Sequence, residues 1–160
     1  IMKKSVIINV LAVVIIVLKM LVQSLGLEQM GAMGYVLFDM LGIVVILFGM
    51  NYIAGVWEGE NKKIIVNAVT LVVLQLIISG TFGYTTIGRE AEKKLDQMIV
   101  QEQNVNENID EGIEISFSEG NASSGILNHG FYFVVALAGG KMGLKVKENK
   151  KKKDNQGMGF

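Results

Sequence analysis

Long blocks of apolar residues, each broken by one or a few polar positions, dominate the first half of the chain. Three such blocks cover residues 5–25, 34–57 and 64–84. A helix needs about 20 apolar residues to cross a hydrocarbon layer about 30 Å thick. Each block has this length, so the pattern predicts three membrane-spanning helices.

A fourth apolar block covers residues 125–140 and is shorter than the others. It reaches spanning length at residue 144 if the side chain of Lys141 extends to the lipid headgroups. We therefore predict a fourth span over residues 125–144, with a re-entrant or interfacial segment as the alternative. The first block follows the basic stretch MKKS, but no small-residue cleavage site comes after it. We interpret it as an uncleaved helix rather than a signal peptide.

The basic residues between the blocks indicate how the helices are oriented. If four helices cross in alternation, one side carries eleven lysines: Lys3, Lys4, Lys62, Lys63, Lys141, Lys145, Lys147, Lys150, Lys151, Lys152 and Lys153. The other side carries only Arg89, Lys93 and Lys94. Lysine and arginine collect in cytoplasmic loops, so we expect both termini in the cytoplasm. A composition rich in Ile, Lys and Asn favours a bacterial source, and hence a multi-pass protein of the bacterial cytoplasmic membrane.

The external loop of this topology, residues 85–124, carries nine acidic residues against three basic ones. Residues 87–102 have helical spacing, with Ile87, Ala91, Leu95 and Met98 near one face. Residues 113–118 alternate between apolar and polar, which predicts a short strand. The predicted fold is an all-α, four-helix membrane bundle with a small acidic extracytoplasmic cap of one helix and one strand. The membrane domain covers residues 1–144. A Lys-rich cytoplasmic tail covers 145–160 and is disordered unless a helix extends into it.

Two charged residues lie inside the predicted spans. At 1.5 Å per residue, Lys19 lies about 9 Å below the outer end of its helix, and Asp39 lies about 7–8 Å below the outer end of the next. A short loop makes these helices antiparallel neighbours, so we predict that Lys19 and Asp39 pair. The alternative is that each side chain extends separately to the surface. An ion pair here could fix helix packing, or it could mark an ion or proton path.

Amides form a second polar set within the spans. Asn9, Asn51 and Asn67 lie within about 9 Å of the inner helix ends. They could hydrogen-bond across the bundle, line a cytoplasmic vestibule or face the headgroups. Gln75 lies near the midplane, where an unsatisfied amide is costly, so it should face the protein interior or a second copy. We expect a separate cluster, Lys150, Lys151, Lys152 and Lys153, to contact anionic lipid headgroups.

Composition excludes several kinds of chemistry. The chain has no cysteine and one histidine, so thiol catalysis, cysteine-ligated metals and multi-histidine sites within one chain are excluded. We predict no catalytic residues, metal or cofactor. The basic tail has no aromatic residues beside its lysines to stack on bases, so no nucleic-acid partner is predicted.

These features favour a non-enzymatic membrane protein whose partners are the lipid bilayer and another protein. Our leading hypothesis is an assembly, regulatory or partner-binding subunit that works through helix packing and the external cap. The alternative is a homo-oligomeric channel, transporter or holin-like pore former. A pore requires the intramembrane polar residues to converge on an axis, whereas a subunit requires them to pair within the bundle or at a partner seam.

Overall fold

A computed structural model describes residues 4–106 and 122–157 of the chain. Within these ranges the fold is all-helical, with five helices and no strand. The helices are α1 (Lys4–Leu25), α2 (Leu27–Glu58), α3 (Asn61–Gly83), α4 (Thr86–Asn106) and α5 (Ala122–Gly157). The helix predicted over residues 87–102 is therefore present as α4, whereas the strand predicted over 113–118 lies outside the described residues.

Three of these helices, α1, α2 and α3, are long and apolar enough to cross a membrane. This result supports the three longer blocks and suggests a membrane protein. The fourth predicted span, 125–144, lies within α5, which is not among the helices that meet both requirements. The four-helix count is therefore not supported. Asn128, His129, Lys141 and a high glycine content lower the hydropathy of this segment.

The exposed faces of the three apolar helices carry large aliphatic side chains. Val10 on α1 is 53% exposed, Val45 on α2 is 68% exposed and Val66 on α3 is 58% exposed. Polar side chains such as Asn51 and Gln75 are instead buried. A soluble protein rarely exposes apolar faces of this extent, so the arrangement fits helices surrounded by lipid.

Two glycines with positive φ interrupt and end the second helix. Gly31 has φ +68° and ψ 172°, which interrupts the helical backbone of α2 after its first turn. Such angles are open only to glycine at low cost. Gly59, with φ +69°, ends α2, and its N–H donates to the carbonyl of Gly55. Between these two glycines α2 is regular, and this part contains the predicted span over residues 34–57.

Helix α5 packs against α2 in a parallel direction. A Cβ atom added to Gly139 would lie 2.3 Å from the Phe48 carbonyl oxygen, and one added to Gly143 would lie 2.1 Å from that of Tyr52. Farther along, Lys147 Nζ donates to the carbonyl of Trp57 at 3.0 Å. Glycines at the contact allow the two backbones to touch. The glycine pair with three residues between its members therefore serves packing within one chain.

The two ends of the bundle differ. The end that carries α4 and the α1–α2 turn at Gly26 is called the α4 end below. The opposite end, with the first turn of α1 and the α2–α3 connection, is called the Trp57 end. Helix α4 rests on the bundle through the buried residues Gly88 and Ala91. Helix α5 continues beyond the Trp57 end as far as Gly157, so a helix extends into the Lys-rich tail.

Candidate functional site: polar side chains buried in the bundle

Five polar side chains are buried among the described residues: Lys19, Gln23, Asn51, Asn67 and Gln75. Four of the six intramembrane residues predicted from the sequence belong to this set. The other two, Asn9 and Asp39, are partly buried. The sequence analysis did not single out Gln23, although its position one helical turn after Lys19 was a usable signal.

The structure brings Lys19 and Asp39 together near the α4 end. Lys19 Nζ donates to Asp39 Oδ1 across the seam between α1 and α2. The lysine side chain is 7% exposed, whereas the aspartate side chain is 40% exposed. A Cβ atom added to Gly42 would lie 3.0 Å from Lys19 Cε, so this glycine leaves space for the lysine stem. The pair is therefore buried on its cationic side only.

A second contact strengthens the same seam. Gln23 Nε2 donates to the backbone carbonyl of Tyr35 at 3.1 Å. Lys19 and Gln23 lie on one face of α1, so both reach from α1 to α2. Together they join the two helices through side chains and fix their relative height.

An amide cluster joins three helices toward the Trp57 end. Asn51 on α2 is 0% exposed, and its Nδ2 donates to the Ala136 carbonyl of α5 at 2.7 Å. The same nitrogen lies 3.4 Å from the Ile64 carbonyl of α3. Asn67 Nδ2 on α3 donates to Asn51 Oδ1 at 2.9 Å. Two of the three predicted asparagines therefore bond across the bundle.

The third asparagine, Asn9, is not part of this cluster. Its Oδ1 is buried and has no hydrogen-bond partner among the described residues. Asn67 Oδ1 is also buried and also has no hydrogen-bond partner among the described residues. The network determines which atom of Asn67 is left over. The side-chain nitrogen of Asn51 faces two carbonyl oxygens, so the side-chain oxygen of Asn51 faces Asn67. Asn67 must therefore use its own side-chain nitrogen as the donor to this oxygen. The remaining atom of Asn67 is thus an acceptor.

Gln75 faces the interior of the bundle. It is 4% exposed, and its Nε2 donates to Ser79 Oγ one turn later at 3.1 Å. Its Oε1 is buried without a partner in the described part of the chain. Among these residues Gln75 therefore makes its side-chain bond within its own helix.

Apolar residues separate the polar groups along all three helices. Five of them form what is called the apolar middle layer: Ala12, Ile16, Ile43, Leu47 and Leu71, each at most 2% exposed. On α2, two members occupy the turns between Asp39 and Asn51, at spacings of four residues. On α3, Leu71 lies midway between Asn67 and Gln75. The Lys19–Asp39 pair and the amide cluster are thus separate sites.

An exposed ion pair anchors α4. Lys94 Nζ donates to Glu28 Oε1 at 2.5 Å, which connects α4 to the first turn of α2. The hydrogen bond and the charge of Glu28 raise the pKa of Lys94. At the other end, the four tail lysines from Lys150 to Lys153 lie exposed on the extension of α5. Their contact with lipid headgroups stays a prediction.

The described residues contain no cluster of three or more metal-ligating side chains. Comparisons with models of known protein families, with curated proteins and with solved structures find no match.

Proposed function

We propose that the protein is a non-enzymatic integral membrane protein that acts as an assembly, regulatory or partner-binding subunit of a membrane complex. One observation carries this proposal. The buried polar groups form separate contacts between neighbouring helices, and the apolar middle layer lies between them. Such contacts fix helix register and packing. A single-chain path for ions would instead need polar groups throughout its length.

The membrane arrangement that we propose has four spans with both termini in the cytoplasm of a bacterial cell. The register of α5 supports the fourth span. Tyr132 belongs to the same buried core cluster as Ile43 of α2, whereas Lys147 contacts Trp57, so α5 accompanies α2 over much of its length. Its outer face is apolar, since Phe131 and Val134 are 52% and 62% exposed. The lysine distribution in the loops supports a cytoplasmic location for the Trp57 end.

The surface proposed for the partner lies at the α4 end. Helix α4 is attached by Gly88 and Ala91 on one side and turns the exposed carboxylates Glu90 and Asp96 outward. The following sequence, residues 107–121, adds five acidic residues and no basic one. A partner domain with a basic surface suits this segment, because charge complementarity steers association and selects partners.

The alternative is a homo-oligomeric channel, transporter or holin-like pore former. A pore between copies would be lined by the outer faces of the helices. On α1 these faces carry large aliphatic residues, including Val10, Val14 and Leu18, each 48% exposed or more. Faces of this kind suit lipid or close helix packing better than a hydrated path. They therefore favour the subunit over the pore.

Native mass spectrometry after gentle extraction from the source membrane tests this proposal. We expect one copy of the chain bound to a different protein. A closed homo-oligomer without another protein would contradict the subunit hypothesis and favour the pore.

A pair of matched variants tests the surface itself. Glu90→Gln with Asp96→Asn neutralises two exposed carboxylates on α4, and we expect the complex to weaken. Glu148→Gln with Asp154→Asn neutralises two exposed carboxylates on the α5 extension and should leave it unchanged. Equal effects of both variants would overturn the assignment of the partner surface to α4.

A further inference from the structure

A cavity of about 1020 Å³ with charged, amide and apolar side chains in its walls opens at the Trp57 end. Its walls come from the first turns of α1 and α3, the last turn of α2 and Lys147 of α5. Known ligand cavities measure about 300–1,000 Å³, so this cavity is large enough for an organic ligand. In the proposed arrangement it lies at the headgroup depth of the cytoplasmic leaflet.

The charges that line the cavity are unbalanced. Four lysines and two glutamates contribute, a net charge of +2. Lys63 occupies both carboxylates, with Nζ 3.3 Å from Glu58 Oε2 and 2.8 Å from Glu60 Oε1. Lys4 and Lys62 make no ion pair with any described residue and are exposed. Three cationic groups, Lys4, Lys62 and Lys147, therefore remain at the cavity wall to receive an anion, and Lys147 also donates to the Trp57 carbonyl.

The cavity also has hydrogen-bond acceptors in its wall, in addition to the lysines. Asn9 and Asn67 line it, and the Oδ1 atom of each is buried without a partner in the described chain. Asn67 is 4% exposed, and the network with Asn51 makes its free atom an oxygen. A buried acceptor left unsatisfied costs stability, so a ligand that brings a hydrogen-bond donor would relieve this cost.

We propose that this cavity binds the headgroup of an anionic glycerophospholipid that carries hydroxyl groups, of the phosphatidylglycerol class. The phosphate lies against Lys4, Lys62 and Lys147, and the headgroup hydroxyls donate to Asn9 and Asn67. Trp57 and Val66, 44% and 58% exposed, supply an apolar wall for the glycerol and the first acyl carbons. Basic pockets between helices on the cytoplasmic side are typical lipid sites. The site is distinct from the partner surface, although it uses the same membrane arrangement.

Lipid titrations of the purified full chain test this site. The chain is kept in neutral detergent and titrated with phosphatidylglycerol or phosphatidylcholine, and bound lipid is counted by native mass spectrometry. We expect phosphatidylglycerol to bind at least tenfold more tightly than phosphatidylcholine. In Lys4→Gln with Lys62→Gln this preference should fall by roughly tenfold or more, since one lysine near an anionic lipid contributes about fivefold. The matched control, Arg89→Gln with Lys93→Gln, removes the same charge from exposed positions on α4, outside the cavity, and should retain the preference. Equal losses in the two double variants would overturn the cavity as the site.

The acceptors have a separate test. Phosphatidylethanol carries the same single negative charge as phosphatidylglycerol but no hydroxyl. Wild-type protein should prefer phosphatidylglycerol. Asn9→Leu should lose part of this preference, because only the Asn67 acceptor then remains, and it should fold at least as stably, because Asn9 Oδ1 has no described partner to lose. An unchanged preference in Asn9→Leu would overturn the role of Asn9.

Binding of free glycerol phosphate distinguishes a lipid from a soluble ligand. If it binds as tightly as the lipid and with the same dependence on Lys4 and Lys62, the ligand is soluble and the assignment to a lipid is wrong. Failure of lipid binding leaves the partner surface on α4 unaffected.

Discussion

Helix α2 meets two neighbours in two different ways. Against α1 it is joined by side chains: Lys19 reaches Asp39, and Gln23 reaches the Tyr35 carbonyl. Against α5 the two backbones themselves touch, in addition to the side-chain bonds of Asn51 and Lys147. A Cβ atom added to Gly55 would lie 2.1 Å from the Gly140 carbonyl oxygen. In the α1–α2 seam, polar groups at the same level of the two helices bond to each other. In the α2–α5 seam, glycines of the two helices lie at the same level and let the backbones touch.

The two seams should differ in how well they tolerate substitutions. A side-chain seam can adjust, because rotamers change and an exposed carboxylate keeps part of its hydration. A backbone seam cannot adjust without moving an entire helix, since close-packed interiors leave no room for an added methyl group. We therefore expect the α2–α5 seam to be the more sensitive to substitution.

The largest effect should come from Gly55→Ala. Alanine favours helix by about 1 kcal/mol over glycine. Here, however, its methyl group would overlap the Gly140 carbonyl and the Leu144 nitrogen, 2.8 Å away. We expect a net loss of about 3 kcal/mol in the free energy of unfolding, measured in mixed micelles.

Gly49→Ala on the same helix is the matched control. Outside the backbone of α2, no described atom lies within 4 Å of the added Cβ. This variant should be as stable as the wild type or slightly more stable. If Gly55→Ala behaved like Gly49→Ala, the two helices would not be in backbone contact, and the contrast between the seams would disappear.

The two seams also differ in how well the sequence predicted them. Depth along a helix is simple arithmetic, so the proximity of Lys19 and Asp39 follows from their positions and a short loop. The register of α5 against α2 depends on three-dimensional packing between residues about 90 positions apart in the chain, as with Lys147 and Trp57. The sequence contains the glycines at 139 and 143, but nothing in it identifies the residues of α2 that they contact. Hydropathy also gives no indication that α5 packs closely against α2. Glycine adds little to the hydropathy of a helix, even where it allows the closest packing.

An intermediate effect is expected from Asn51→Leu. The substitution removes the bond to the Ala136 carbonyl and leaves Asn67 Nδ2 without its acceptor. A stranded buried amide costs about 2 kcal/mol, measured as the loss of unfolding free energy. The double variant Asn51→Leu with Asn67→Leu should be less destabilised than Asn51→Leu alone, because both partners are then apolar. A double variant with the summed losses of the single variants would show that the two amides act independently.

The smallest effects should come from the Lys19–Asp39 pair, and they should be unequal. Lys19→Ala leaves a carboxylate whose side chain is 40% exposed, so hydration compensates and the loss should be about 1 kcal/mol. Asp39→Ala leaves an ammonium group on a side chain that is 7% exposed, so its loss should be larger, about 1.5 kcal/mol. The double variant should be milder than either single variant, since no charge is then left behind. Unfolding in mixed micelles at fixed pH measures all three. A double variant no milder than the single variants would mean that the pair contributes no coupling energy. The α1–α2 seam would then depend on Gln23 and apolar packing.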